Sequence, residues 1–526
     1  MVRILMRVTR VQISLLVTMD MKKVVPFLFV GFLASCGNGQ QNKLHLDVFT
    51  NSLDSANMEA TKETVLPFQE IDTNYNSIDL LLPEGFKYDI LFTEARDKVT
   101  RADGMKFPAK GNHDLCVYIP IDSSSSHGYL YIGHEERFVN SDLGDGGGGT
   151  VFEVIRDSAG WKTVGDFKHV DFRPIRDTHR NCGGTITPWG TILSAEETYP
   201  SSNMDISFNG TYISNLAPLN GRDAYTNFGW MVEIDPLTQK PLHKLYAMGR
   251  FMHEDAQCMA DEKTVYLTDD YPVAVFFKFV ADQARDYTKG QLYAYKQSLD
   301  GESGEWMELP RDTNSLIRCR DIALENGATL FQRHEWIAEA NGKLYISETG
   351  NVQFDWNRRI NGGAHPAKHF MESCHLGGNI FSDIHGRILE FDPVTNKMRS
   401  YLEGGVDSTD QATVLSNPDG NCVQKINGVN YLVINEDIDW YDMGRVPKYI
   451  ELVRRLVNEV YFLPLNKKDP KLSDLLRFAI GPKGSETTGT YFTPDGSTMF
   501  LNIQHPWPRN KAPFNRSTTV AITGFK

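Results

Sequence analysis

The run Gly128–Glu136 (GYLYIGHEE) begins at a turn glycine, continues as a short aromatic and β-branched strand, and ends abruptly at His134, Glu135 and Glu136. Runs of this kind, bounded by Gly, Asp and Asn, read as β-strands. The same block recurs at Gly190–Glu197 (GTILSAEE), Lys263–Asp270 (KTVYLTDD), Gly342–Gly350 (GKLYISETG), Gly428–Asp437 (GVNYLVINED) and Gly496–His505 (GSTMFLNIQH). The copies lie roughly 60 to 90 residues apart, the spacing of a four-stranded unit with insertions. A second polar cluster precedes each copy. These clusters are Asn112-His113-Asp114, Asn181-Cys182-Gly183-Gly184, His253-Glu254, Arg333-His334-Glu335-Trp336, Asn417-Pro418-Asp419-Gly420 and Glu486-Thr487-Thr488-Gly489.

Working outward, Trp230–Pro236 and Gly386–Pro393 read as outer strands of the same units. The only long amphipathic helical pattern runs from Pro447 to Glu459. The fold class is therefore all-β: a six-bladed β-propeller spanning residues 71–526, with a few helical and loop insertions. In a propeller the innermost strand of every blade lines a central channel, and the loops at one end of those strands converge on the axis. Leu80–Leu91 and Ser517–Phe525 both read as strands. Their pairing would close the ring and leave no open edge. A pair of β-sandwich domains is the alternative architecture.

Composition is that of a soluble globular chain, with 41% hydrophobic and 23% charged residues. The net charge of −13, with no Lys/Arg run after the N-terminal segment, argues against nucleic acid as a specific partner. At the N-terminus, Lys22 and Lys23 precede the apolar run Val24–Leu33, and Leu33-Ala34-Ser35-Cys36 follows. This reads as a secretory signal over residues 1–35, with Met19 and Met21 as alternative starts. Cys36 stands where a bacterial lipobox places its lipidated residue. Residues 36–70 would then be a lipidated tether, and the protein an exported, lipid-anchored one, periplasmic or at the cell surface. Its only contact with the membrane would be the anchor. The remaining cysteines, Cys116, Cys182, Cys258, Cys319, Cys374 and Cys422, form neither a disulfide framework nor a zinc spacing.

Six blades aiming Asp114, Glu135, Cys182, Glu196, Glu197, Glu254, Glu335, Glu436 and Glu486 at one channel mouth would crowd carboxylates too closely for all to ionise unaided. Bound cations relieve such crowding. Oxygen ligands suit Ca²⁺ or Fe³⁺, and a lone thiolate among them points to a transition metal. Arg333 lies two residues from Glu335, and alternation along an extended segment would point both to one side. A guanidinium beside metals suits a phosphate ester, because its fork binds two oxygens at once.

These stretches, in order, resemble the PhoX-type alkaline phosphatases. The matching segments are Leu82–Leu91 (LPEGFKYDIL), Asn181–Glu197 (NCGGTITPWGTILSAEE), Gly249–Glu254 (GRFMHE), Thr268-Asp269-Asp270 with Phe277–Val280, Gly327-Ala328-Thr329 with Arg333–Trp336 (RHEW), Gly484–Gly496 (GSETTGTYFTPDG) and Phe500–Pro506 (FLNIQHP). The resemblance implies a six-bladed propeller carrying Fe³⁺ and Ca²⁺ on its axis, with iron on Cys182 and on Glu197 or Glu196, Glu254 and Glu335. It implies calcium on Asp114, Asp419, Glu436 and Glu486, and Arg333 and Glu335 as the catalytic pair, with Arg333 on the phosphate. The implied activity is metal-assisted hydrolysis of small phosphate monoesters for phosphate acquisition, by a monomer. The chain departs from the family pattern at His334, where Pro is usual, at Ala195, where Cys is common, and around Glu348, where the family is non-acidic. A calcium-dependent lactonase or esterase on a propeller would need neither Cys182 nor Arg333. A non-catalytic binding propeller would use cations only to stiffen the ring.

Overall fold

In the computed structural model the described residues are 66–525, apart from 73, 75–76, 139, 141, 145, 204–222, 299–302, 356–374, 378–379, 384, 407–413 and 439–456. The signal and lipobox readings, most of the 36–70 tether, Cys374 and most of the helical pattern at Pro447–Glu459 lie outside them; Glu459 itself opens a strand.

Six blades, antiparallel except where Lys98–Thr100 joins Gly160–Val170 in parallel at the outside of blade one, account for nearly all strands among the described residues. Their innermost strands are His113–Pro120, Asn181–Ile186, His253–Cys258, His334–Ala340, Pro418–Ile426 and Glu486–Phe492. The second strands are His127–His134, Ile192–Glu196, Thr264–Asp269, Lys343–Glu348, Val429–Glu436 and Thr498–Gln504. These are the recurring blocks of the sequence. Each inner strand packs against those of the two neighbouring blades, and the sixth against the first. The ring closes within blade six, where Lys87–Thr93 pairs antiparallel with Thr518–Thr523 as its outermost strand. The first and last strands of the body thus share one sheet, and an edge that could template aggregation is paired.

The core lies between blades. Leu193 and Met231 of blade two meet Phe277, Phe279 and Leu292 of blade three. Val433 and Phe462 of blade five meet Leu501 and Val520 of blade six. Phe68 joins that second cluster, its ring edge-on to Phe86, Phe462 and Phe478, so the packed body begins a few residues before position 71. Alternation makes this possible. One face of each twisted strand packs on one neighbouring blade and the other face on the next, so both faces are apolar along the strand centres. The charged residues of the two inner strands of each blade gather at the strand ends.

Two local devices set those ends. Inner strands one to five each carry a β-bulge at their start, between His113 and Cys116, Asn181 and Gly184, His253 and Ala256, His334 and Ile337, and Pro418 and Asn421. A bulge adds a residue, bends the strand and re-aims a side chain. In blade six the bulge falls later, between Thr488 and Tyr491, where Gly489 takes φ +62° against the carbonyl of Asp114. Secondly, the residue before inner strands one, two, four and five is left-handed: Asn112 (φ 44°), Arg180 (52°), Arg333 (60°) and Asn417 (50°).

Candidate metal centre

These devices place chemistry on the axis in two tiers. The bulges carry Asp114, Cys182, Glu254, Glu335 and Asp419, and Glu486 heads the sixth inner strand. The second tier is the residue just past each second strand: Glu135, Glu197, Asp270, Thr349, Asp437 and His505. The backbone N–H of the first five donates, at 2.9–3.0 Å, to the carbonyls of Asn112, Arg180, Met252, Arg333 and Asn417. The same main-chain bond thus recurs in five blades and hangs each second-tier side chain beside its own first-tier partner.

Among the described residues four groups of potential ligands result, each with its ligand atoms within 4.8 Å of one another: Asp114, Cys182 and Glu254; Glu135, Cys182 and Glu197; Glu254, Asp270 and Glu335; and Asp437, Glu486 and His505. Cys182 Sγ lies 2.6 Å from Asp114 and 3.3 Å from Glu254. Gly183 allows this approach, because any Cβ there would run into the carbonyl of Glu254. Thr488 donates to the other Asp114 oxygen at 2.7 Å. Arg333 forks onto Asp270 at 2.8 and 3.1 Å and reaches Glu335 at 3.2 Å.

The electrostatics fit cations. Burial, reinforced by Glu135 and opposed by hydrogen bonds from Cys182 and Thr488, raises Asp114 to about 7. Burial followed by facing carboxylates pushes Glu254, Glu335, Asp419 and Glu486 well above the usual carboxylate range. Burial and the charges of Asp114 and Glu254 push the Cys182 thiol well up too. Asp419 Oδ1 is buried with no hydrogen-bond partner. A site that must desolvate this many acids is stabilised when cations replace their protons. Carboxylates, one thiol and one imidazole are also a donor set that accepts both hard and borderline metals. The other described cysteines differ: Cys116, Cys258, Cys319 and Cys422 pack in the core, where burial pushes the Cys116 thiol well up and raises the other three to about 12.

Cys182, Glu197, Glu254, Glu335, Asp114 and Glu486 fall in these groups, and Asp419 faces Glu486, Asp437 and Asp114. Glu196 and Glu436 sit elsewhere. Glu196 is bound by Lys244 at 3.1 and 3.2 Å and by the amides of His179, Gly229 and Trp230. Glu436 accepts the amides of Ser416 and Glu459. The reason is the pleat: consecutive residues point to opposite faces. In blades two, three and five the first acid of the doublet, which ends the strand, therefore ties its blade together and the second faces the axis, while in blade one the strand ends at His134 and Glu135 takes the axial place. Glu197 and Asp437 are the axial members. Asp270, Asp437 and His505 were in the repeating blocks but not among the assigned ligands, and the same period-two argument selects them. Arg333 also reaches Glu335 by another route than the expected alternation, since its backbone is left-handed.

The departures at His334 and Glu348 belong together. They are register partners across the first two strands of blade four, with His334 Nε2 3.4 Å from Glu348, whose other oxygen accepts from Arg387 at 3.0 Å. Both side chains are fully buried behind the axis. The pair braces the blade and leaves Arg333 and Glu335 facing the channel.

Comparison with known proteins bears on the fold and the family. The chain superposes on Pseudomonas fluorescens PhoX in complex with vanadate, a transition state analogue, with a TM-score of 0.67 and 20% identity over 87% of this chain and 97% of that one. A Trypanosoma rangeli sialidase mutant displaying trans-sialidase activity (TM-score 0.37, 10% identity, 84% and 59% covered) and a Trichoderma reesei enzyme of carbohydrate-active family AA12 (0.37, 10%, 86% and 99%) are far more distant. No curated protein sequence matches the chain. The family model for alkaline phosphatase PhoX matches residues 148–507, a span holding five of the six first-tier residues and both Arg180 and Arg333. The chain therefore belongs to the PhoX alkaline phosphatase family, and it is a phosphatase built on a six-bladed propeller.

Proposed function

We propose that the protein hydrolyses small phosphate monoesters outside the cytoplasm, anchored through Cys36, with iron and calcium held by the axial ring. The observation that carries this is Cys182, a thiol set within 3.3 Å of two carboxylates, two blades away from a guanidinium forked on a third acid. Cys182, Glu197, Glu254 and Glu335 would hold iron, the thiolate favouring a transition metal. Asp114, Asp419, Asp437 and Glu486 would hold calcium, Asp437 taking the part the family likeness alone suggests for Glu436. When bound, these ions supply Lewis-acid neutralisation of phosphoryl charge and lower the pKa of water.

The chain's own side chains do the rest. Arg333 presents a guanidinium whose charge can bind a phosphoryl group beside the fork it makes on Asp270 and fix its orientation. Asp270 holds that fork in place, and Glu335 couples it to the ring. That the P. fluorescens neighbour forms a complex with vanadate, a transition state analogue, supports the phosphatase reading. A lactonase or a binding propeller would leave both Cys182 and Arg333 without a role.

The test pairs elemental analysis with hydrolysis of p-nitrophenyl phosphate. Active protein is expected to contain iron and calcium, and Cys182→Ala to lose iron and activity together. Full activity in protein holding neither metal would sink the proposal.

A further inference from the structure

We propose that Arg180 is a second phosphoryl-binding guanidinium, acting with Arg333 from the other side of blade three and selecting monoester dianions over diesters. The inference rests on the phosphomonoesterase reading above and extends it to a substrate class.

The repeat carries the argument. Arg180 stands in blade two where Arg333 stands in blade four: left-handed, immediately before the inner strand, and two residues ahead of a first-tier ligand. Each backbone carbonyl accepts the amide of its own blade's second-tier residue, Glu197 for Arg180 and Thr349 for Arg333. Each side chain reaches back to the second-tier acid of the preceding blade. Arg333 binds Asp270 of blade three, and Arg180 binds Glu135 of blade one through Nε at 2.8 Å and also through Nη2. Each also touches an acid of its own blade, Glu335 at 3.2 Å and Glu197 at 2.6 Å. The other blades offer no cation at this position; they carry Asn112, Met252, Asn417 and Ser485. Between the two arginines stands Glu254, which belongs to two ligand groups at once.

Accessibility separates this pair from the ring. The Arg180 and Arg333 side chains are 18% and 25% exposed, against 12% or less for the four acids they contact. With His505, whose side chain is 47% exposed on the opposite part of the ring, they form the solvent-facing lip of the site. Arg180 meets its acids through Nε and Nη2, which leaves Nη1 for an incoming oxyanion. A monoester phosphoryl group carries three non-bridging oxygens and up to two negative charges, a diester two oxygens and one charge. Nη1 of Arg180 adds a second guanidinium contact to that of Arg333, so three oxygens can be held, whereas a diester with two leaves one guanidinium desolvated without a partner. That asymmetry is how a polar site rejects an analogue lacking one group.

The test uses the metal-loaded full chain, with inorganic phosphate as the calorimetric probe and p-nitrophenyl phosphate and bis(p-nitrophenyl) phosphate as substrates. Arg180→Gln is expected to weaken phosphate binding about ten- to a hundred-fold, the value of one charge-assisted contact. It should lower monoester kcat/KM more than diester kcat/KM, with iron and calcium content unchanged. Arg180→Lys, which keeps the charge but not the fork, should give a several-fold loss and decides the matter if the Gln variant does not fold. Unchanged phosphate affinity and an unchanged monoester-to-diester ratio would overturn the proposal. So would loss of metal in step with loss of binding, since Arg180 would then be a tie within the ring. If the wild-type chain neither binds phosphate nor cleaves the monoester, it is the phosphatase reading that fails.

Discussion

At the scale of single residues, the acid doublets divide their labour by the pleat. Glu196 is fully buried beside Lys244, and burial, offset by Lys244 and by backbone donors, leaves its carboxyl above the usual range. Removing one partner of such a pair strands the other charge, at a cost of about 3–5 kcal/mol. Glu196→Gln is therefore expected to lower unfolding free energy by an amount of that order, measured by urea denaturation, while iron and calcium content stay as in wild type. Glu197→Gln should do the reverse, losing metal while the stability of the metal-free protein changes little. If Glu196→Gln strips the metal, the division of the doublet is wrong. The doublets were legible in the sequence, because acids after an apolar strand stand out. Which member faces the axis was not legible, because that depends on register, and the bulges fix the register through main-chain bonds the side chains do not announce.

Among the strands and turns, conformations that a sequence hardly encodes do the aiming. Asn112 and Asn417 are residue types that tolerate a left-handed backbone, so their positions carry a faint signal. Arg180 and Arg333 carry none, which is why Arg180 escaped notice although it lies two residues before Cys182 as Arg333 lies two before Glu335. Gly489 is the clearest case of a backbone demand. Its φ is +62°, and a Cβ would meet the Asp114 carbonyl, whose side chain is a first-tier ligand. Gly190 is also left-handed, at φ +90°, but opens onto free space. Gly190→Ala should cost about 1–3 kcal/mol of strain. Gly489→Ala should cost more, because the clash adds to the strain, and should also reduce bound calcium. Thermal unfolding and metal analysis of the two variants make the comparison. Equal losses of stability, with equal metal, would show that the contact with Asp114 does not matter.

For the molecule as a whole, the fold was legible because it is periodic: six copies of one block are harder to miss than any single motif, and closure followed from the need to pair two loose strands. The three-stranded insert Asn351–Asp355, His375–Gly377 and Ile380–Asp383 lies outside the period and left no such trace. Periodicity also gives the ring a collective property, a pH-dependent demand for cations. In metal-free protein Asp114 keeps its proton up to about 7, and Glu254, Glu335, Asp419 and Glu486 are likewise raised by burial and by one another, whereas in the unfolded chain carboxyls ionise near 4. The folded state therefore binds more protons than the unfolded one over that interval, and these groups' contribution to stability falls as pH rises through it. Buried imidazoles act in the opposite sense. Burial lowers His113, His179 and His253 to about 3, so their contribution is present above about 6.5 and is lost as pH falls toward 3. Because the imidazole contribution is common to loaded and chelated protein, it cancels in the difference between their melting temperatures. The carboxyl contribution does not cancel, since bound cations replace the protons. The gap in Tm between loaded and chelated protein is thus expected to be small at pH 5 and to widen by pH 8, read by calorimetry with and without chelator. A gap that stays constant or narrows with rising pH would mean that the buried acids are not what the cations neutralise.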